Sequence, residues 1–375
     1  MSLFNVYPLY EMTPSHAEMC YVFDKKGNKY LDLYGGHAVI SIGHSHPAYV
    51  NSLTKQLNNI GFYSNYIIND LQKKVAEKII LQSGCKNYSL FMTNSGAEAN
   101  ENALQVASFH TNKSRIIAFK NSFHGRSNAA LSITDNSNIK SKMNDKIDVS
   151  FINFNDKDAF DKEIKKGDVS SVIFESIQGV GGLDEPETEF VKHVSNQCKK
   201  NSVCLIADEV QSGFGRTGDF FAFQKHDIDP DIICMAKGMG NGFPVGGILI
   251  KDNIKAKFGM LGTTFGGNHL ACTAVLSVLE TIENEKLMEN SKNLENYFRK
   301  TISKISSVSK IKGRGLMLGI EFNFPAAELR KKLIFKHKIF TGGSANKNLL
   351  RILPPLNINK SHVDKLYNAL NVELQ

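Results

Sequence analysis

Lys237 follows the apolar run "DIICMA" and opens the glycine-rich turn "GMGNGFPVGG", so it leaves a buried strand end. Loss of hydration there favours the neutral amine, the form that condenses with an aldehyde to a Schiff base. Asp208 closes another apolar run, "VCLIAD", with Glu209 beside it and "QSGFGRTG" after it. A carboxylate at the rim of a core needs a cationic partner. If the two strands are near neighbours, amine and acid converge on one ligand, an aldehyde-bearing heterocycle whose ring nitrogen the acid keeps protonated. Taken singly, each has a plainer reading, a snorkelling lysine and an acidic helix cap.

A third stretch narrows the ligand. "TNSGAEAN" sets Ser95, Gly96 and Ala97 at a strand-to-helix turn, where free N–H groups and the helix dipole favour a phosphate. A phosphate, an aldehyde-seeking amine and a ring-facing acid together describe pyridoxal phosphate chemistry. The chain has no G-x-x-x-x-G-K-[ST] loop, and no G-x-G-x-x-G follows a strand.

The elements needed to position these residues are readable. "KYLDLY" predicts a strand, "GHSHP" a turn, and Pro47 to Asn59 a helix with proline in its first turn. A second helix is expected at about Asp70 to Gln82. A third follows "YSLFMTN", with Ala99, Ala103, Leu104 and Ala107 on one face. Strands "RIIAF", "DVSFINF", "VSSVIFES", "VCLIAD", "DIICMA" and "GGILI" then follow, with helices at 156–166 and 187–200 among them. Continuous apolar strands separated by helices predict an α/β fold, a mainly parallel sheet covered on both faces. From about residue 268 come two long amphipathic helices, strands "SKIKGRG" and "LMLGIEF", a helix near 326–337 and a last helix after Ser361. This texture predicts a smaller α+β lobe. The expected division is an N-terminal segment 1–45 belonging to the small domain, a large cofactor-binding domain 46–283 and a C-terminal small domain 284–375.

Composition sets limits on partners. The formal charge is +8, but Lys dominates the 45 basic residues and is scattered along predicted helices. No basic block interleaved with aromatics argues for nucleic acid. No run of about 18 apolar residues argues for a membrane, and "MSLFNVYPLY" does not resemble a secretion signal. The six cysteines show no metal-ligand spacing and read as reduced core thiols of a cytoplasmic protein. Arginine is scarce, and four of its occurrences fall in "FHGRS", "GFGRTG", "KGRGLMLG" and "LLRILPPL", where a two-pronged grip on a carboxylate is the alternative to plain scatter.

"NSGAEANENAL", "FHGR", "DEVQSGFGRTG", "AKGMGNGFPVGG", "GTTFGGNHLAC", "RGLMLGIEF" and "LRILPPL" stand in the order and approximate spacing of the class III pyridoxal-phosphate aminotransferases. From about residue 20 to the C-terminus the chain resembles this family, most of all its acetylornithine/succinylornithine branch. The resemblance implies a fold type I transferase and a homodimer. It implies that Lys237 holds the cofactor and moves the proton between substrate and cofactor carbons. Asp208 would pair with the pyridine nitrogen and Gln211 with the ring hydroxyl. Val210 and Phe123 would sandwich the ring, and Ser95, Gly96 and Ala97 would hold the phosphate. Thr264 would reach the phosphate of the partner subunit's site. Arg126 would bind the α-carboxylate of an N-acylornithine and Arg351 that of 2-oxoglutarate, with Glu175 neutralising Arg351 while the first substrate is bound.

The reaction so implied moves the δ-amino group of an N-acylornithine to 2-oxoglutarate, giving the semialdehyde and glutamate, a step of arginine biosynthesis. The alternatives are another ω-aminotransferase of the family, acting on ornithine, 4-aminobutyrate or a diamine, and a non-catalytic binding protein of this fold. The family's acetylornithine members usually read Glu-Pro-Val-Gln-Gly-Glu where this chain has "ESIQGVGG", which leaves acetyl and succinyl both open. No metal is expected: His44 and His46 read as turn residues. His124 reads as a site-wall residue or a base, and Glu209 and Arg216 as structural anchors.

Overall fold

The computed structural model describes residues 4–374; residues 1–3 and 375, the extremities of the expected terminal blocks, lie outside the described residues. Its centre is a seven-stranded sheet in the spatial order Tyr88–Thr93, Gly246–Lys251, Ile232–Met235, Cys204–Asp208, Val169–Phe174, Arg115–Phe119, Val149–Ile152. Four inner strands, Arg115–Phe119, Val169–Phe174, Cys204–Asp208 and Ile232–Met235, are buried along their whole length, because helices cover both faces. Pairing is parallel from Ile232–Met235 through to Val149–Ile152. Gly246–Lys251 runs antiparallel to both of its neighbours, a reversal that an apolar run does not encode.

Register decides where the chemistry falls. Asp208 lies opposite Cys234, so the two strands finish side by side and Lys237 follows directly at their common edge. The helix Gly96–Thr111 packs on this sheet through Ala99, Ala103, Leu104 and Ala107, the expected face, against Ile116, Ile206, Cys234 and Ile248. Its start is fixed by reciprocal caps. Ser95 Oγ accepts from Glu98 N at 3.2 Å, and Glu98 Oε2 accepts from Asn94 N at 2.5 Å. On another flank His269–Asn284 packs against the helices Pro47–Asn59 and Asp70–Ser83.

Two smaller sheets carry the ends of the chain. One joins Pro14–Glu18, Tyr21–Asp24, Lys29–Asp32 and Ile339–Phe340, so that N- and C-terminal segments share a sheet. The other joins Val308–Arg314, Met317–Phe322 and Leu349–Ile352, and its last strand holds Arg351 opposite Gly319. Pro14–Glu18, Tyr21–Asp24, Ile339–Phe340 and Leu349–Ile352 lack a sequence-level signal; the first is short and mostly solvent-facing, and the second is short and half-buried. The final helix spans Lys360–Leu374, starting one turn residue earlier than its apolar pattern suggests.

Between the sheets the chain makes an unusual turn. Gly35, Gly36, His37 and Ala38 all have positive φ, at 55, 53, 68 and 64°. Left-handed backbone costs an L-residue roughly 1–2 kcal/mol, so His37 and Ala38 are held there by surrounding bonds. Asp32 pins the entry to the turn, its Oδ1 accepting from Tyr34 N at 2.9 Å and Gly35 N at 2.8 Å, while Ala38 N donates to Tyr34 O at 3.0 Å and the His37 carbonyl accepts from Gln211 Nε2 at 3.2 Å. The other oxygen of Asp32 meets His44 Nε2 at 2.8 Å, and His46 Nε2 meets Glu285 at 2.8 Å. The two histidines of "GHSHP" therefore face different carboxylates. The six cysteines are free and five are buried.

Candidate active site

At the edge where the parallel strands end lies a cavity of about 360 Å³. It is lined by Lys237, Asp208, Val210, Gln211, Ser95, Gly96, Ala97, Phe123, Arg126 and Glu175, among others. These sit at five strand-to-loop junctions that are far apart in sequence. Arg351 and Thr264 do not line it.

Lys237 opens a short 3-10 turn at the end of Ile232–Met235, with a left-handed φ of 47°. Surrounding protein pushes its ammonium pKa below the usual lysine range, partly opposed by the carboxylates of Asp208 and Glu175. Its amine is thus enclosed, close to two acids and directed at the cavity. Asp208 is 5% exposed, and both of its oxygens are engaged, Oδ1 by a single donor that leaves it capacity for one more. Oδ1 accepts from Val210 N at 3.0 Å; Oδ2 accepts from Asn100 Nδ2 at 2.9 Å and meets His124 Nδ1 at 2.7 Å. Asn100 also donates to the His124 carbonyl at 2.7 Å, so acid, amide and imidazole form one rigid unit. His124 Nε2 and Asn100 Oδ1 are buried without a partner.

The phosphate-seeking turn has free donors. Among the described residues, the Gly96 and Ala97 N–H groups at the start of the helix have no hydrogen-bond partner. Glycine is required here by packing: a Cβ on Gly96 would come within 2.5 Å of Val210 Cγ1. Gln211 is similarly unspent. Its Nε2 donates to the His37 carbonyl at 3.2 Å, while Oε1 is buried and unpartnered. Gly179 lets it approach, since a Cβ there would overlap Oε1 at 2.0 Å.

Glu175 is enclosed, and its oxygens accept from Phe123 N and Gly179 N, each at 2.9 Å. Burial raises its pKa to about 7, the nearby His124 opposing the shift. Arg351 is 5% exposed and held by neutral acceptors: Gly179 O at 2.7 Å, Gly343 O at 2.5 Å and Tyr34 Oη at 3.2 Å. No ion pair closes between Glu175 and Arg351; the shared neighbour is Gly179. Arg126 is exposed at the cavity, 5.9 Å from the Phe123 ring centroid. Thr264 lies on a separate depression of about 1360 Å³, which touches the cavity only through Asn94.

Glu209 and Arg216 are spent on the scaffold. Glu209 accepts from Ala222 N, Phe223 N, Ser212 Oγ and Ser176 Oγ. Arg216 donates to the carbonyls of Leu316, Pro354 and Ile40, and burial lowers its pKa to about 9. The residues that sequence reasoning missed are Asn100, Tyr34 and His37. For Asn100 a signal existed, a lone amide within the apolar face of its helix; for the other two there was none.

An amine, an acid and a helix N-terminus converging at the edge of such a sheet define a transaminase fold, and the chain belongs to the class III aminotransferases: the family model "Aminotransferase class-III" matches residues 5–374. Within the family it is similar to the acetylornithine aminotransferase of Bacillus subtilis, 36% identical over 98% of this chain and 96% of that one. The acetylornithine aminotransferase of Streptococcus mutans is 38% identical over 97% and 96%. Among solved structures, the ornithine aminotransferase of Toxoplasma gondii superposes with a TM-score of 0.89 at 26% identity, covering 97% of this chain and 92% of that chain. Another structure of that Toxoplasma enzyme, crystallised in the presence of oxidised glutathione, shows partial occupancy of pyridoxal phosphate at its active site.

Proposed function

We propose that the chain is a pyridoxal-phosphate aminotransferase that moves the δ-amino group of an N-acylornithine to 2-oxoglutarate, as a homodimer in the cytoplasm, within arginine biosynthesis. The observation that carries this reading is the single cavity shared by Lys237, Asp208 and the free N–H groups of Gly96 and Ala97, in a chain 36% identical to an acetylornithine aminotransferase. The cavity fits the cofactor on its own terms: an orphan acceptor at Gln211, unspent donors at the helix start and a glycine cradle against Val210. When bound, the cofactor supplies an aldehyde carbon for the amine and a cationic ring that withdraws electrons.

The chain's own residues do the rest. Lys237 Nζ, kept neutral more readily because enclosure lowers its pKa, would hold the cofactor and would then move the proton at the substrate δ-carbon. Asp208, oriented by Asn100 and His124, keeps the ring nitrogen protonated. With the cofactor bound, Gln211 Oε1 would receive the ring hydroxyl, Phe123 and Val210 would flank the ring, and Ser95, Gly96 and Ala97 would hold the phosphate. Arg126 takes the α-carboxylate of the acylated donor; Arg351 takes that of the oxo acid, and Glu175 offsets Arg351 when the uncharged reacting end is bound. Thr264 serves the site of a second copy, whose seat would be the depression it lines. Residues 46–283 would act as the cofactor-binding domain and 284–375, with 1–45, as the lobe bringing Arg351 to it.

The test is a donor profile with N-acetylornithine, N-succinylornithine and ornithine against 2-oxoglutarate. Acylated donors are expected to be preferred. A strong preference for free ornithine would overturn the substrate assignment, and no transfer to any oxo acid would overturn the enzyme.

A further inference from the structure

Arg351 is a buried guanidinium with no carboxylate within ion-pair distance among the described residues, a costly state unless something fixes it and something else is meant to meet it. A guanidinium carries five N–H donors. Three are used, on Gly343 O, Gly179 O and Tyr34 Oη, which leaves two for a ligand carboxylate. The Tyr34 ring also lies beneath the group, 5.6 Å from its carbon.

Tyr34 can accept from Arg351 steadily only if its own proton is committed elsewhere. His37 Nδ1 lies 2.5 Å from Tyr34 Oη. With Arg351 donating to Oη, the neutral His37 tautomer that carries its hydrogen on Nε2 lets the hydroxyl give its proton to a hydrogen bond with Nδ1. Its surroundings agree: partial desolvation and the cations Arg351, Lys237 and Arg330 lower the His37 pKa, although the residue keeps solvent contact. This geometry needs the left-handed turn, since φ of 68° at His37 brings its ring back over Tyr34 while its carbonyl meets Gln211 Nε2 at 3.2 Å. Arg330, donating through Nε to Thr341 O at 3.0 Å, stands nearby and adds positive charge without touching the pair.

We infer that Tyr34 and His37 are positioning residues for the oxo-acid carboxylate: His37 fixes the Tyr34 hydroxyl as an acceptor, and Tyr34 fixes the Arg351 fork so that its two free N–H groups meet a carboxylate. The inference rests on the oxo-acid role given to Arg351 above. It makes the turn at 35–38 a determinant of acceptor specificity rather than a connector.

The test separates the hydrogen bond from the backbone strain. Asparagine and glycine both tolerate left-handed φ, but only asparagine keeps an acceptor near the Nδ1 position. The readouts are binding of glutarate, a dicarboxylate that cannot react, by calorimetry, and the half-reaction efficiencies with acylated donor and with 2-oxoglutarate. Tyr34→Phe and His37→Gly are expected to weaken glutarate binding and raise KM for the oxo acid about fivefold to tenfold, the net size of one ordinary hydrogen bond. The donor half-reaction should change much less, and His37→Asn should recover wild-type glutarate affinity to within about twofold. Equal losses in both half-reactions, unchanged glutarate binding in Tyr34→Phe, or His37→Asn no better than His37→Gly would overturn the inference. Absence of transamination by the wild-type chain with any donor would instead overturn the functional reading on which it rests.

Discussion

The floor of the cavity and a second wall, which lies beyond its lining and holds Arg351, are built on opposite plans. The floor stands on parallel strand ends, where Asp208 has each oxygen engaged and Lys237 follows a fully buried strand. The wall is made by a left-handed turn and a short C-terminal strand, and its Arg351 is held by carbonyls and a hydroxyl instead of an acid. A site that handles one resident group needs its acid fixed once. A wall that would meet an uncharged end in one half-reaction and a carboxylate in the other needs a cation that is oriented but held in no permanent ion pair, because such a pair would compete with the oxo acid's carboxylate. Glu175 fits this division: it shares Gly179 with Arg351 but spends its oxygens on backbone N–H groups.

The largest effect expected of this contrast is on the floor. Lys237→Ala should cost roughly 10⁴-fold in turnover while leaving the melting temperature of the cofactor-free protein near wild type, since among the described residues the amine makes no hydrogen bond or ion pair. Retained turnover in a steady-state assay would break the comparison outright.

The next lies between floor and wall. Burial raises the Glu175 pKa from 4.5 to about 7. Above pH 4.5 the unfolded chain has released this proton while the native chain keeps it, so stability falls as pH rises towards about 7. The loss amounts to about 3 kcal/mol, an order-of-magnitude figure. Urea unfolding at intervals from pH 4.5 to 8 should show this slope, and Glu175→Gln should flatten it. Burial also raises the acids of Glu209 and Asp231, so the readout is the difference between the two proteins. Parallel curves would mean that Glu175 ionises freely in the folded state.

On the wall, Arg351→Lys keeps the charge and loses the fork. An ammonium cannot hold Gly179, Gly343 and Tyr34 while also pairing a carboxylate with two donors. Efficiency with 2-oxoglutarate is expected to fall about 30-fold, with a smaller change for the acylated donor. An equal drop for both substrates would show that floor and wall do not divide the work as described.

How much of this could be read from the chain follows the same division. The floor was legible because burial on both faces forces continuous apolar runs, and a charged residue at the end of such a run stands out: Asp208 after "VCLIA" and Lys237 after "DIICMA". The reversed strand Gly246–Lys251 was legible as a strand but not in direction, since direction lives in the connection and not in side-chain polarity. The clasp on Asp208 was half visible, as His124 beside Phe123, while Asn100 needed the third dimension to meet it. The wall was hidden. Nothing in "LYGGHAV" states that four successive residues take positive φ, because His37 and Ala38 adopt it only under constraint from Asp32 and the neighbouring packing. The family resemblance supplied Arg351, but it could not supply the tyrosine that holds it.

The smallest expected effect tests that constraint directly. His37→Gly removes a side chain from left-handed backbone, a gain of roughly 1–2 kcal/mol. Against it stands the added freedom of glycine in the unfolded chain, worth about 0.5–1 kcal/mol. The net is a stabilisation of about 0.5 kcal/mol, to be read as a higher denaturation midpoint at unchanged urea slope. The same substitution is expected to weaken glutarate binding. A variant both more stable and poorer at holding the carboxylate would show that the wall keeps His37 in a strained conformation for the sake of Tyr34 and Arg351. A variant less stable than wild type would show that the imidazole anchors the turn instead, and that the strain at 35–38 belongs to folding rather than to the substrate.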